Sequence, residues 1–532
     1  MRNTIIHTIL LIMPLLSSAQ HQPGIDILHY KFAISLEDSV DRIEGNATIL
    51  FKCLVPENEI MLDLTSEDTG KGMQVESVTV NRQTEKYVHQ DNKLIIHFSN
   101  QVNPGDTAEI NIRYAGIPAN GLIISKNKYG NRTFFSDNWP DRAHHWIPCI
   151  DEPADKATVE FMISAPKHYN VISNGILVEE SNLNNNRKFT HWKEDMVLAT
   201  KIMVIGVADF DVQLSGTVQG IPVTSWVFPE NREKGFYDYA QAAEILPYYI
   251  KTYGPYGYKK LANIQSKTMY GGVENAGAIF YAENSITGTR KSEALLAHEI
   301  AHQWFGDMAT ETKFAHLWLS EGFATYMTAL YMQNKYGRDT LTYMLKRDRQ
   351  RVVRFSKTYD HPVVDTTVTD YMKLLNANSY QKGGWVLHML HRMLGDTVFY
   401  RSIRKYYATY AGRNASTENI RSIFESVSGK KLEPFFKQWL YTPGQPDVTV
   451  TWIFQPAKKR ALVTVIQNQK DIFQFPLQVQ VKKATGKDFI TRLQITRQKE
   501  EFVIPVNQKP DSLILDPDTS LLFEGTASEG GR

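Results

Sequence analysis

The sequence predicts a multidomain chain with an all-β N-terminal domain, a mixed α/β domain and a small C-terminal β-sandwich. Three observations carry this. At 532 residues the chain exceeds one ordinary domain. Apolar and polar residues alternate at period two to about residue 213, take helical spacing through the middle, and alternate again after Pro446. Composition is 42% hydrophobic and 22% charged, a globular balance. A formal net charge of +2 gives no basis for nucleic acid or an anionic membrane as a partner.

Taken in order, residues 1–19 read as a signal peptide. Arg2 is the basic flank, 5–16 the apolar run, and Ser17, Ser18 and Ala19 the small-residue cleavage site. The mature chain is expected to begin at Gln20 and to be exported, periplasmic or secreted. No later run is long and apolar enough to span a bilayer. Cys53 and Cys149 show no metal-ligand spacing and are expected to be free, buried thiols.

Residues 20–213 form the N-terminal β domain, with strands such as HYKFAISL, IEGNATILFKCLV and TAEINIRYAG. Within it, SDNWPDRAHHWIPCIDEPADKA (136–157) is irregular and dense in polar and aromatic groups, the kind of loop that carries function. Its adjacent His144 and His145 do not share a face and read as parts of a packed connector. Residues 214–446 form the α/β domain. EKGFYDYAQAAEILPYYIKTYG is one amphipathic helix with an expected kink at Pro247. After Gly444, Gln445 and Pro446, about six strands over 447–525 fit the sandwich. Residues 526–532 read as a disordered tail.

Within the α/β domain, LLAHEIAHQWFGD (295–307) is a helix on which His298 and His302, four apart, share one face. Two imidazoles there can bite one metal ion, and Glu299 beside them can take a proton from water. HExxH on a helix reads as a zinc hydrolase core with one ion per chain. Leu295, Leu296, Ile300 and Trp304 make the helix apolar enough to be buried. Buried imidazoles without partners are costly, and a metal removes that cost.

A catalytic zinc keeps three protein ligands and an open position. The pattern HExxHxxGxxH would need Gly and His where the chain has Phe305 and Met308. His316 qualifies by residue type alone. Glu321, nineteen positions after His302, is the better candidate. It opens a second helix expected at about 320–336, with Ser320 as N-cap and Gly337 as its end.

HEIAHQWFGD followed by LSEGFATY resembles the zinc aminopeptidases of the aminopeptidase N and leukotriene hydrolase family, gluzincins with HExxH, eighteen residues and Glu. Three more segments carry the likeness. YGGVEN (270–275) is similar to the family's GxMEN motif, with Val273 in place of Met. NSYQKGGWVLHML is similar to its Tyr-x-Lys-Gly motif, and WIPCIDEPADKA to its FPCxDEPxxKA segment.

The resemblance implies a thermolysin-like catalytic fold and zinc ligands His298, His302 and Glu321. It implies Glu299 as general base and Tyr380 as oxyanion donor. It assigns Glu274, with Gly271, Gly272 and Asn275, to substrate binding. In physical terms Glu274 can pair with the free ammonium of a peptide's N-terminus, and the glycines let backbone approach substrate. Relatives place a Gln or Glu five residues before an Arg as a further ammonium contact; counting back from Arg142 gives Asp137. The implied partners are peptides with a free N-terminus. Many relatives also carry a large C-terminal helical domain. None is expected here, so the cleft should be more open, with a second copy of the chain as a candidate lid. A thermolysin-type endopeptidase and a non-catalytic binding protein on the same fold are the competing readings.

Overall fold

The computed structural model describes residues 24–483 and 485–530. The expected signal peptide lies outside the described residues. The N-terminal region is strand-rich. Side chains of Ile43–Cys53 are buried at every second position, which sets one face of the strand against the core. An eight-stranded sheet runs from the edge Ile176–Leu183 through Arg187–Ala199, Lys156–Pro166, Ile25–Ser35, Ile43–Cys53, Thr107–Ile117 and Gly72–Val80 to Gln83–Thr84. Only Ile25–Ser35 and Lys156–Pro166 pair in parallel within it. Cys53 and Cys149 are free and buried. His144 Nδ1 lies 2.8 Å from Asp151 Oδ2 and His145 Nδ1 lies 2.7 Å from Thr65 Oγ1, so both belong to the connector.

A five-stranded mixed sheet follows, in the order Asp211–Val218, Ile221–Val227, Leu261–Ser266, Ala278–Ala282 and Gly272–Val273. Asp211–Val218 pairs with Ile221–Val227. The change of sheet therefore falls before Asp211, and the expected boundary at 213/214 would cut a strand. Alternation alone does not say which sheet a hairpin joins. The helices Glu293–His302, Trp318–Tyr336, Arg338–Ser356, Gly383–Leu394 and Asp396–Tyr410 make the rest of this region helical.

The single helix expected before the metal motif is two, Arg232–Tyr239 and Ala242–Tyr253. Pro247 sits inside the second, and the break comes earlier, at Ala240 and Gln241. Just before it, the Asp238 carboxylate accepts the amides of Thr287, Gly288 and Arg290 at 2.5–2.7 Å. That anchors the first helix end to a distant loop.

C-terminally, Lys499–Pro505, Arg460–Gln467, Asp447–Gln455 and Glu524–Glu529 form one sheet, and Phe489–Ile495, Phe475–Lys483 and Pro510–Leu515 another. The disordered tail expected from 526 is thus overturned for 526–529. Glu524–Glu529 runs parallel to Asp447–Gln455, from Asp447 opposite Glu524 to Trp452 opposite Glu529. An edge strand is held by backbone bonds, so polar residues serve there. Arg349 lies between Trp385 and Phe523, 4.9 Å from each ring centroid, and pairs with Asp516. His388 Nε2 lies 2.9 Å from the Thr519 carbonyl oxygen. These contacts dock Gly383–Leu394 against the C-terminal strands. Among the described residues no helix is long and apolar enough to cross a membrane.

Candidate metal centre and its cleft

The His helix, Glu293–His302, is buried on nearly every side. Leu296, Ala297, Ile300 and Ala301 are at most 1% exposed. Its start is tied to the end of the next helix: Glu293 accepts the Tyr331 hydroxyl at 2.7 Å and pairs with Lys335. A carboxylate at this end also suits the helix dipole. The two antiparallel helices hold His298, His302 and Glu321 against one another. His298 Nε2 and His302 Nε2 are 3.1 Å apart, and Glu321 Oε2 lies 3.3 Å from each.

That triangle fits a zinc ion. Ligands at about 2.0–2.1 Å from a tetrahedral zinc lie roughly 3.3–3.4 Å from one another. Glu274, Glu299 and His302 also bring ligand atoms within 4.8 Å of each other. The His298 set is the better match, because its edges have the tetrahedral length and it leaves Glu299 free. His302 Nδ1 is 3.1 Å from the Phe305 carbonyl oxygen, to which it donates, so Nε2 is the nitrogen left for a metal. Ser320 Oγ is 3.0 Å from the same Nδ1. The helix begins at Trp318, with Leu317 at its N-cap position. Ser320 is therefore not the cap. It lies inside the first turn, within hydrogen-bond distance of the His302 ring.

The electrostatics call for a cation. Burial alone would lower His302, but Glu321 and Glu274 raise it to about 10. Burial would raise Glu321, yet His302 and His298 hold it far below the usual carboxylate range. Burial pushes Glu299 well above that range; His302 opposes this, while Glu274 and Glu321 add to it. Burial, with Glu321 next, keeps the Tyr380 proton on well above its usual range.

Tyr380 comes from a wide π-turn, Asn378–Lys382, that leads into Gly383–Leu394. Its hydroxyl donates to Glu321 Oε1 at 2.8 Å. Gly272–Val273 is the edge strand beside the His helix. A Cβ on Gly272 would lie 2.4 Å from Glu299 Oε1, so this glycine makes room for Glu299. Gly271, by contrast, has open space, its nearest neighbour being a Leu295 methyl 3.8 Å away. Glu274 is 6% exposed, and its Oε1 is buried with no hydrogen-bond partner among the described residues.

Of the residues expected at the site, all except Asn275 and Asp137 line one cleft of about 250 Å³, walled by Trp139, Tyr270, Leu295 and Leu375. Asn275 is fully buried and does not line the cleft, and its Oδ1 and Nδ2 have no hydrogen-bond partner among the described residues. Asp137 is also displaced from its expected role. Its Oδ1 accepts Arg142 at 2.8 Å, and its Oδ2 accepts Thr268 Oγ1 at 3.2 Å and the Met269 amide at 3.4 Å. Both oxygens are committed, so Asp137 braces the loop behind Tyr270. His316 lies at Thr417, its Nδ1 2.9 Å from Oγ1, and is no part of the centre. Sequence reasoning missed Trp139 and Leu375 as walls; the aromatic density of 136–157 was the available signal for the first.

A helix-borne imidazole pair completed by a glutamate from the next antiparallel helix, on a mixed sheet behind a strand-rich domain, defines the gluzincin class of metallopeptidase folds. Residues 237–439 match the Peptidase family M1 domain and residues 27–201 the Peptidase M1 N-terminal domain; the chain belongs to peptidase family M1. It is 27% identical over 415 residues to "Probable aminopeptidase 2" of Sulfurisphaera tokodaii, covering 75% of this chain and 52% of that protein. It is 28% identical over 355 residues to "Aminopeptidase M1" of Arabidopsis thaliana, covering 62% and 40%. With "Glutamyl aminopeptidase" of Homo sapiens it shares 27% over 343 residues, covering 62% and 36%. The chain thus spans about half or less of the length of these relatives.

Proposed function

We propose that the chain is a zinc-dependent aminopeptidase that hydrolyses the first peptide bond of peptides with a free N-terminus. One observation carries the reading. A Glu274 oxygen lies within 4.8 Å of ligand atoms of both Glu299 and His302, and Glu274 has a buried oxygen without a partner. An ammonium is a group that such a carboxylate binds strongly, by charge-assisted hydrogen bonds. An anchor this close to the metal ligands leaves space for one residue between the peptide's nitrogen and the bond to be cut.

His298, His302 and Glu321 would hold the zinc, which supplies Lewis acidity and lowers the pKa of water toward about 7. Glu299, which lines the same cleft, accepts the proton of the attacking water and passes it to the leaving amine. Tyr380, still protonated, donates to the oxyanion as it develops. Glu274 fixes the register. Asp137 and Asn275 are not carried forward as substrate contacts.

The two C-terminal sheets fit a small sandwich. The "aminopeptidase" in the relatives' printed names supports the same activity. Export belongs to this proposal on the strength of residues 1–19, and N-terminal sequencing of the recovered protein tests it. The activity test compares a leucyl peptide with its N-acetylated form, at equal zinc content. Cleavage of the free amine only is expected; equal rates would instead favour the endopeptidase.

A further inference from the structure

We propose that Gln303 is a positioning residue that sets the distance between the metal ligand His302 and the anchor Glu274, with Asn174 of the N-terminal β region bracing the same turn from the other side. This rests on the reading of Glu274 as the ammonium anchor. Gln303 follows His302 directly, at the helix end, and is fully buried. Its Nε2 donates to the Glu274 carbonyl oxygen at 2.7 Å and to Asp307 Oδ2 at 2.8 Å. Oε1 accepts the Gly277 amide at 2.8 Å; the Tyr256 hydroxyl lies 3.3 Å away and has the Lys260 carbonyl oxygen nearer, at 3.0 Å. Both N–H donors and one acceptor site of the amide are thus engaged by this turn and by Asp307.

Asn174, 1% exposed, closes the other side. Its Nδ2 donates to the Ala276 and Ile202 carbonyl oxygens, each at 2.9 Å, and its Oδ1 accepts the Val204 amide at 2.7 Å. Two side-chain amides therefore hold three backbone groups of the turn 274–277. One grows from the residue beside a metal ligand and the other from a different sheet system. The Glu274 side chain has no hydrogen bond of its own from Oε1 to steady it. Its aim is set by where this turn is held. The N-terminal region thus serves the anchor mechanically although Asn174 lies outside the cleft.

Neither residue touches substrate in this account, so activity alone is an insufficient readout. Gln303→Glu keeps shape and acceptors but removes both donors and faces the Asp307 carboxylate. Asn174→Asp does the equivalent from the other region, and stands in if the first variant folds poorly. The measurement is equilibrium binding, by calorimetry, of leucine hydroxamate and of 4-methylpentanohydroxamate, which differs only in lacking the amine. Zinc content and the KM-against-kcat split are recorded alongside.

Both variants are expected to lose on the order of tenfold to a hundredfold in affinity for the amine-bearing ligand. Binding of the other ligand and the zinc content stay as in the parent, and KM rises more than kcat falls. Equal weakening of both ligands, loss of zinc, or an unchanged preference for the amine overturns the proposal. Glu274→Gln separates the two levels. If that variant keeps the amine preference, the anchor reading itself fails. If it loses the preference while both amide variants keep it, only the positioning role fails.

Discussion

Gly322 and Gly383 meet backbone to backbone. A Cβ on Gly322 would lie 2.8 Å from the Gly383 Cα, and one on Gly383 would lie 3.0 Å from the Gly322 Cα. Gly322 follows Glu321, the proposed third metal ligand, and Gly383 stands three residues after Tyr380. The close crossing is what lets the Tyr380 hydroxyl reach Glu321. Alanine at either position has to push the helices apart. Gly383→Ala is expected to cost about 1–3 kcal/mol of stability by overpacking and to lower kcat more than it raises KM. Denaturant unfolding and steady-state kinetics check this; a variant with parental kcat would show that the contact does not position Tyr380.

Gly272 offers a way to disturb Glu299 without altering the carboxylate. With Cβ 2.4 Å from Glu299 Oε1, alanine must displace that side chain. Gly272→Ala is therefore expected to behave like Glu299→Gln, losing roughly 10²–10⁴-fold in kcat, the range for a general acid–base group. Both should retain one zinc per chain by atomic absorption. Full turnover in Gly272→Ala would mean that the cleft relaxes around the methyl group.

Much of the centre was legible because its signals are local. Helical spacing brings His298 and His302 together without any tertiary information, and a return helix supplies Glu321. What was not legible depended on contacts between distant segments. Asp137 has the right charge, but only the fold shows that Arg142, Thr268 and Met269 already occupy its oxygens. Ser320 looks like a cap in one dimension and touches His302 in three. The polar run at 524–529 lacks a hydrophobic pattern because its partner is the backbone of Asp447–Gln455. Pro247 carries a strong breaker signal, yet the real break follows Asp238, whose partners lie some fifty residues on.

Removal of the metal should abolish activity, and zinc should restore it. A finer test concerns Ser320, which shares His302 Nδ1 with the Phe305 carbonyl. Loss of such an outer contact typically costs about 10–100-fold in metal affinity. Because Phe305 still orients the ring, Ser320→Ala is expected near the lower end. Competition with a chelator of known affinity measures it, and unchanged affinity would remove Ser320 from the centre.

On the aminopeptidase reading, the cleft walls Trp139, Tyr270, Leu295 and Leu375 should favour an apolar N-terminal side chain. No lysine or arginine lines the cleft among the described residues. Arg142 stands behind Tyr270, 5.8 Å from its ring centroid, and is paired with Asp137. Each buried methylene is worth about 0.8 kcal/mol, roughly fourfold in kcat/KM. Aminoacyl-arylamides are expected to rank leucyl above alanyl above glutamyl. A glutamyl substrate in first place would mean that a cation reaches the cleft when substrate binds.

Acid should loosen the junction between Gly383–Leu394 and the C-terminal strands through His388. Burial lowers its pKa to about 3, even though the hydrogen bond to the Thr519 carbonyl raises it. The ring is thus neutral in the fold, and the unfolded chain, with a pKa of about 6.5, binds the extra proton first. This contribution is fully present above about pH 6.5 and is lost as pH falls toward 3. The limiting slope is about 1.4 kcal/mol per pH unit. His388→Gln, which keeps a donor for Thr519 but does not titrate, should lose less stability between pH 7.5 and 5.5 than the parent. Urea unfolding at the two pH values measures the difference, and identical losses in both proteins would place the acid sensitivity elsewhere.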